Sequence, residues 1–306
     1  MLPFLSGATQ QYLADLQRMS DELATVSRQL SSGLRVNNVS DDPSVIQGIM
    51  QDQSQISQLR QTQTNLSNLK PELQTADGAL QQAMQNVESA ISIASQSTST
   101  MMTPEARAQL VTQVQGILEN LVRISGITAQ GRYIFSGDLD QQALYVLDST
   151  QPTGVRQLAT ANSTRVVTDN NGAKVWLAKT ASEIFDARNP DTTPANNNVF
   201  AAVNSLLTAL QTNNTAGALA SITNLKAADD HLNQELGYYG IGESRVNDTL
   251  TSLTTSLLNV QVDMGNLRDA NMAEAAVELN QLTVQQQAAL TSRAKINGMN
   301  LFDFLA

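Results

Sequence analysis

The chain has 306 residues and a net charge of −10, and only 4% of its residues are aromatic. An acidic chain is repelled by phosphate backbones, which excludes nucleic acid as an expected partner. There is no cysteine, so disulfide bonds, thiolate chemistry and cysteine-type zinc sites are excluded as well. With so few aromatic residues, Leu, Ile, Val, Met and Ala must supply the core, which favours helices packed along seams.

The N-terminus does not have the pattern of a secretory signal peptide. Residues 1–7 are apolar only briefly, no basic segment precedes them, and Asp15 and Arg18 follow soon after. No stretch approaches the roughly 18 apolar residues of a membrane span. A cytoplasmic protein and a protein exported by a route that reads no such signal both fit this pattern.

The first third of the chain predicts two long helices. A heptad seam near the N-terminus predicts a helix of roughly 30 residues that ends at Ser31-Ser32-Gly33. Asp42 can cap a second helix that starts at Pro43, and its apolar 4-3 grid continues to Ala94. We expect Pro71 to kink or locally break this helix. If it is continuous, residues 43–97 span about 80 Å, which predicts an elongated rod.

A return helix follows, and then the pattern changes to short β-rich runs. Thr103 and Pro104 mark the start of a helix that we expect to end near Gln130-Gly131. Apolar and β-branched runs with turn signals between them predict a small β-rich domain with Trp176 in its core. These runs are 133–135, 144–147, 164–167 and 174–177, with turns at 151–154 and 169–172.

Helical periodicity resumes after a linker at 189–194. Two short helices are predicted over 199–210 and 222–236, with a glycine-containing joint at 237–240 before a long final helix. The register of that helix slips at Asp269-Ala270-Asn271 and then resumes as far as Ile296.

Together these patterns predict a mainly α protein in which the N- and C-terminal regions form an elongated antiparallel coiled-coil bundle around an inserted β-rich domain. The predicted domains are a terminal helix and loop (1–42), the first part of the rod (43–130), the β-rich insert with its linker (131–197), the returning rod (198–271) and the C-terminal helix (272–306).

The sequence predicts no catalytic, cofactor-binding or metal site. His231 is the only histidine, and we expect it on a solvated helix face, because no nucleophile or oxyanion hole accompanies it. Capping of the second helix explains Asp41-Asp42 better than a cation site does. Residues 169–172 lack the ligand spacing of a calcium loop and predict a hairpin turn.

The seams of the two terminal helices lie at free ends and have fewer partners inside the chain than the central seams. We therefore expect them to be buried between subunits, although the two terminal helices are also natural partners for each other. The candidate subunit-contact residues are Leu5, Tyr12, Leu16, Met19, Leu23, Val26, Leu30, Leu279, Leu282, Ala289, Ile296, Leu301 and Phe302.

Three segments resemble one family. Residues 30–35, Leu-Ser-Ser-Gly-Leu-Arg, followed by Ser-Asp-Asp-Pro at 40–43, resemble the N-terminal signature of flagellins and flagellar hook-associated proteins. Residues 131–137, Gly-Arg-Tyr-Ile-Phe-Ser-Gly, resemble the junction between helix and β-domain in the hook-associated protein 3 family. Residues 271–290 and the ending Leu-Phe-Asp-Phe-Leu at 301–305 resemble the C-terminus of that family. The family usually begins Met-Arg-Ile-Ser-Thr, and this chain departs from it with Met-Leu-Pro-Phe-Leu.

The resemblance implies a structural subunit at the hook–filament junction of the bacterial flagellum. Members of the family are exported unfolded through the flagellar type III apparatus, act outside the cell and form rings of identical copies. The implied partners are hook-associated protein 1, flagellin and an export chaperone. Flagellin itself is the alternative function. A coiled-coil signalling rod would share the heptads but lack the β-rich insert, and an enzymatic role for the insert is disfavoured because it contains neither His nor Cys.

Overall fold

The computed structural model describes residues 7–98, 103–169 and 172–298, without the side chains of residue 8 and of residues 293–298. It is mainly helical, with long helices in both terminal regions and short strands in the middle, which confirms the predicted fold class. Its elements are α1 (Gly7–Ser32), α2 (Pro43–Ser97), α3 (Pro104–Ser125), β1 (Thr128–Ala129), β2 (Arg132–Tyr133), β3 (Tyr145–Leu147), β4 (Val155–Gln157), β5 (Val166–Thr168), β6 (Lys174–Leu177), α4 (Ala181–Ile184), α5 (Val199–Gln211), α6 (Thr215–Arg268) and α7 (Met272–Gly298).

Helix α2 runs through Pro71 without the local break that we expected. Proline removes one backbone donor, so the carbonyl of Ser67 loses its usual helical partner. Both residues are exposed, and water can therefore satisfy that carbonyl. The buried residues Leu66, Leu69 and Leu73 continue the apolar stripe across the proline and hold the helix on both sides.

Two predicted helix boundaries are wrong. Helix α3 ends at Ser125 rather than near residue 130, because Gly126 stops it. Gln130 and Gly131 both have positive φ and form the two-residue turn between β1 and β2. Helix α6 is continuous from Thr215 to Arg268, so the glycine-containing segment 237–240 lies inside a helix and is not a joint.

The middle of the chain forms three separate two-stranded antiparallel sheets in the described residues, β1–β2, β3–β4 and β5–β6. The predicted turn at 151–154 connects β3 to β4. The predicted turn at 169–172 falls between β5 and β6, and its residues 170 and 171 lie outside the described residues. Strands β1 and β4 were not predicted. Each of them contains a single β-branched residue, so no β-rich run marks it in the sequence.

Residues 59–254 form one compact unit. Although aromatic residues are rare, seven of the twelve in the chain meet in this unit, where their rings lie 4.9 to 6.0 Å apart. Trp176 is buried against Tyr238 and Tyr239 of α6. It is therefore a core residue, as predicted, but its ring neighbours belong to a helix and not to the β-rich segment. The cluster is Phe135, Tyr145, Trp176, Phe185, Phe200, Tyr238 and Tyr239.

The second compact unit combines the two terminal regions, residues 1–58 and 255–306. Its described part contains α1, the beginning of α2, the end of α6 and α7. No helix among the described residues is long and apolar enough to cross a membrane.

Candidate assembly surface

Helices α1 and α7 pack against each other as an antiparallel pair. The Tyr12 hydroxyl near the start of α1 donates a 3.0 Å hydrogen bond to the carbonyl of Ala289 near the end of α7. At the other end of the pair, Leu34 forms an isolated antiparallel bridge with Asp269. The two 4-3 seams therefore face each other along most of the described length of both helices.

The interior of this pair is narrow. Val26, Ala275 and Leu282 form its buried cluster, and Leu23, Leu30 and Leu279 pack around them while remaining partly exposed. A pair of helices can bury only one stripe of each partner, so the opposite faces stay in contact with solvent.

The two terminal seams are partners for each other inside the chain, which is one of the two alternatives that the sequence analysis gave for them. Leu23, Val26, Leu30, Leu279 and Leu282 come together in one cluster, and Tyr12 reaches Ala289. Leu16 and Met19 are half-buried on the same helix. Whether these residues also contact another subunit stays a prediction. Leu5, Leu301 and Phe302 lie outside the described residues, as does the side chain of Ile296.

The outer face of the pair carries apolar side chains that the sequence analysis missed. Val277 and Val284 are 66% and 65% exposed, and their seven-residue spacing places them on one face of α7. We call these two residues the outward stripe. Leu13 on α1 and Leu290 on α7 are also about half exposed. The sequence contains a signal for this stripe, because Val277 and Val284 repeat at a heptad spacing beside the main seam.

Exposed apolar side chains are concentrated in the terminal unit. Among the described residues, nine of the sixteen exposed large hydrophobic side chains belong to it, although it is the smaller unit. Single exposed apolar residues are normal, whereas a concentration of them on a thin helical element is typical of an interaction surface. The nine are Leu13, Val39, Met50, Leu258, Val262, Met272, Val277, Val284 and Leu290.

The chain leaves and re-enters the terminal pair at one place, which we call the joint and define as residues 33–42 and 267–271. Gly33 adopts φ +73° after the end of α1, and its N–H bonds to the Gln29 carbonyl. Asn271 caps α7, since its side-chain oxygen accepts from the backbone N–H groups of Ala273 and Glu274. The predicted register slip at 269–271 is therefore a real helix break.

Asp42 caps α2, as predicted, whereas Asp41 organises the loop before that helix and does not cap it. Asp42 accepts from the backbone N–H and the hydroxyl of Ser44 at the start of α2. Asp41 accepts from the backbone N–H groups of Asn37 and Asn38. The hydrogen bonds from Asn38 and Asn37 lower the pKa of Asp41, and those from Ser44 and Arg35 lower the pKa of Asp42. Both carboxylates are therefore held in their charged form.

His231 does not lie on a solvated helix face, and that prediction is wrong. Its side chain is only 13% exposed, and its Nε2 atom lies 3.0 Å from the carbonyl oxygen of Glu183. Because a carbonyl can only accept, this nitrogen carries the hydrogen. Glu235, 4.0 Å from the other ring nitrogen, forms an ion pair with Lys179. The arrangement ties α6 to the short helix α4.

Two family models match the two ends of the chain. The bacterial flagellin N-terminal helical region matches residues 6–140, and the bacterial flagellin C-terminal helical region matches residues 222–305. The chain therefore belongs to the flagellin-like family, and it is a structural protein of the bacterial flagellum.

Among its curated relatives are two called flagellar hook-associated protein 3. The protein from Escherichia coli is 28% identical over 66% of this chain and 64% of its own length. The protein from Salmonella typhimurium is 27% identical over 96% of both chains. A flagellin from Halalkalibacterium halodurans is 24% identical over 88% of this chain and 85% of its own length.

Solved structures show the same fold. A protein described as a flagellar hook-associated protein from Vibrio parahaemolyticus matches with a TM-score of 0.64 and 20% identity, over 75% of this chain and all of the other. FlgL from Bacillus cereus matches with a TM-score of 0.51 and 16% identity, over 73% of this chain and all of the other.

Proposed function

We propose that this chain is the junction subunit of the flagellum, which links the hook, through hook-associated protein 1, to the flagellin filament. In this proposal several copies form a ring, and contacts between the terminal helix pairs hold the ring together. The observation that carries the proposal is the outward stripe of α7, Val277 and Val284, exposed on a pair whose inner seam is already occupied.

Burial of the outward stripe supplies a driving force for assembly. Removing an exposed Val side chain from water contributes roughly 1.5–3 kcal/mol. A helix of a neighbouring subunit laid along the outward stripe would extend the pair into a larger bundle with a second seam. Each copy offers the same stripe, so the gain is repeated around a ring.

The proposed route to the flagellum is export of the unfolded chain through the flagellar type III apparatus, with an export chaperone as a further partner. The absence of cysteine from all 306 residues suits such a route, because no disulfide has to form during or after passage. The proposed site of action is therefore extracellular, and the proposal contains no catalytic step and no cofactor.

Complementation tests the proposal. A bacterial strain that lacks hook-associated protein 3 sheds its flagellin if nothing joins hook to filament. We expect this chain, expressed with its matching export system, to restore filaments attached to cells, as seen by electron microscopy. Flagellin that remains in the medium, while this chain itself is exported, would contradict the junction function.

Flagellin is the second candidate, favoured by the match to a flagellin over 88% of this chain. A filament subunit must polymerise alone into long structures. A strain that lacks flagellin but keeps its hook-associated proteins separates the two functions. Long filaments made from this chain in that strain would favour flagellin, and bare hooks would favour the junction subunit.

A further inference from the structure

Arg35 occupies the centre of the joint and connects three segments of the chain. Its Nη1 atom donates to the Asp42 carboxylate at 2.7 Å, and its Nη2 atom donates to the carbonyl of Leu267 at 2.7 Å. Asp42 caps the start of α2, and Leu267 lies in the last turn of α6. One guanidinium group therefore links the loop after α1 to the ends of both long helices.

The backbone around Arg35 takes up the free carbonyls at the end of α6. The N–H groups of Arg35 and Val36 both donate to the carbonyl of Arg268, at 2.8 and 3.1 Å, and the N–H of Ala270 donates to the carbonyl of Gly33 at 2.9 Å. The last carbonyls of a helix have no partner within it. A cation at this end is also favourable, because the C-terminus of a helix carries partial negative charge.

The two connections between the long helices and the terminal pair lie side by side at the joint. The chain passes from α1 to α2 over residues 33–42, and from α6 to α7 over residues 269–271. Neither connection is helical, and Gly33 in the first of them is conformationally free. The observed braces between these two breaks are the three backbone hydrogen bonds described above and the side chain of Arg35.

We propose that Arg35 is a positioning residue that fixes the direction in which the terminal pair leaves α2 and α6. Its two acceptors belong to different segments, so the planar fork of the guanidinium fixes the distance and the angle between them. The importance of this direction for the fit between subunits rests on the function proposed above. The clamp itself is a property of the isolated chain.

The exposure of the ion pair between Arg35 and Asp42 indicates that Arg35 affects the geometry of the joint more than the stability of the fold. The side chains of Arg35 and Asp42 are 41% and 25% exposed, and ion pairs in such surroundings contribute little to folding. The buried seams of α1, α2 and α7 are separate from this contact. Loss of the fork should therefore loosen the joint, in which the three backbone hydrogen bonds remain, while the helices stay folded.

Distances between two spin labels test the clamp directly. The native chain has no cysteine, so Ser20→Cys on α1 and Ser54→Cys on α2 give two unique labelling sites, both at exposed positions of the terminal unit. With Arg35 present, we expect one narrow distance distribution by pulsed electron paramagnetic resonance. Arg35→Ala should broaden it severalfold or shift its maximum.

Arg35→Lys is the decisive variant, because it keeps the positive charge while a single ammonium group cannot reproduce the planar fork to both acceptors. We expect it to broaden the distribution as well, with helix content by circular dichroism unchanged. It also provides the test if Arg35→Ala fails to fold. Arg268→Ala is the matched control, since it removes a neighbouring exposed ion pair with Asp269 and leaves the acceptor carbonyls in place. A distribution that stays narrow in folded Arg35→Lys would overturn the proposal, whatever the outcome of complementation.

Discussion

Gly242 shows how a single atom at one position can control the aromatic cluster. A Cβ atom at this residue would overlap the indole ring of Trp176, whereas Gly240, two residues earlier on the same helix, has open space around it. The glycine allows α6 to pass directly over the tryptophan. What resembles a flexible segment in the sequence is therefore a close contact between a helix and a ring.

We expect Gly242→Ala to destabilise the unit formed by residues 59–254 by about 1–3 kcal/mol, because the packed indole must move to make room. Gly240→Ala is the control. It should stabilise the protein by up to about 1 kcal/mol, since alanine favours a helix and meets no neighbour there. Urea unfolding followed by the fluorescence of Trp176, the only tryptophan, measures both. If both variants shifted the urea midpoint by the same amount and in the same direction, the result would contradict the packing argument.

The lowered pKa values of Asp41 and Asp42 predict that the stability of the joint depends on pH. Their pKa values are lowered in the folded chain, so they contribute stability above the unfolded value of about 4. That contribution is lost as the pH falls through their folded pKa values. The carboxyl carbon shifts in nuclear magnetic resonance should therefore titrate below about pH 3.9 for both residues. Ser44→Ala should raise the titration midpoint of Asp42 and leave the titration midpoint of Asp41 unchanged. Ordinary titration midpoints for both residues in the native chain would contradict the hydrogen bonds described for them.

At the scale of elements, the terminal pair depends on a seam with few buried residues. Leu282 is 7% exposed and belongs to the buried cluster, while Val284, two residues later, is 65% exposed. Truncation of a buried leucine commonly costs about 2–5 kcal/mol, and truncation at an exposed position changes stability by less than about 0.5 kcal/mol.

We expect Leu282→Ala to accelerate amide hydrogen exchange over 7–32 and 272–298 in the isolated subunit, because the two helices lose their mutual packing. Val284→Ala is the matched control and should leave exchange close to that of the native chain. If both variants exchange alike, α1 and α7 are not held together by this seam.

The helices whose ends the sequence predicted well are α1, which stops before Gly33, and α2, which starts at Pro43. The errors occur where tertiary contacts override a local signal. The segment 237–240 has the composition of a joint, but α6 stays helical through it, held by the packing of Tyr239 and Gly242 against Trp176. Helix α3 is an exception, because a local signal, Gly126, ends it before the predicted end near Gln130-Gly131.

At the scale of the whole molecule, the pairing of the two ends could be only half predicted. Each terminal seam was visible in the sequence, but the coincidence of the breaks at 33–42 and 269–271 was not, because it depends on contacts between residues more than 200 positions apart. That coincidence brings α1 and α7 together. We therefore propose the outward stripe as a further candidate subunit contact, beside the seam residues that the sequence predicted.

The central claim is that the outward stripe of α7 contacts a neighbouring subunit in the assembled flagellum. Site-specific photo-crosslinking tests it most directly, with a photoreactive amino acid placed at Val284 and, as the control, at Leu282. At Val284 we predict a covalent product between two polypeptide chains that forms only in assembled flagella. At Leu282 we predict crosslinks confined to one chain, between α7 and α1. Assembled flagella in which residue 284 yields no product between chains would contradict the account.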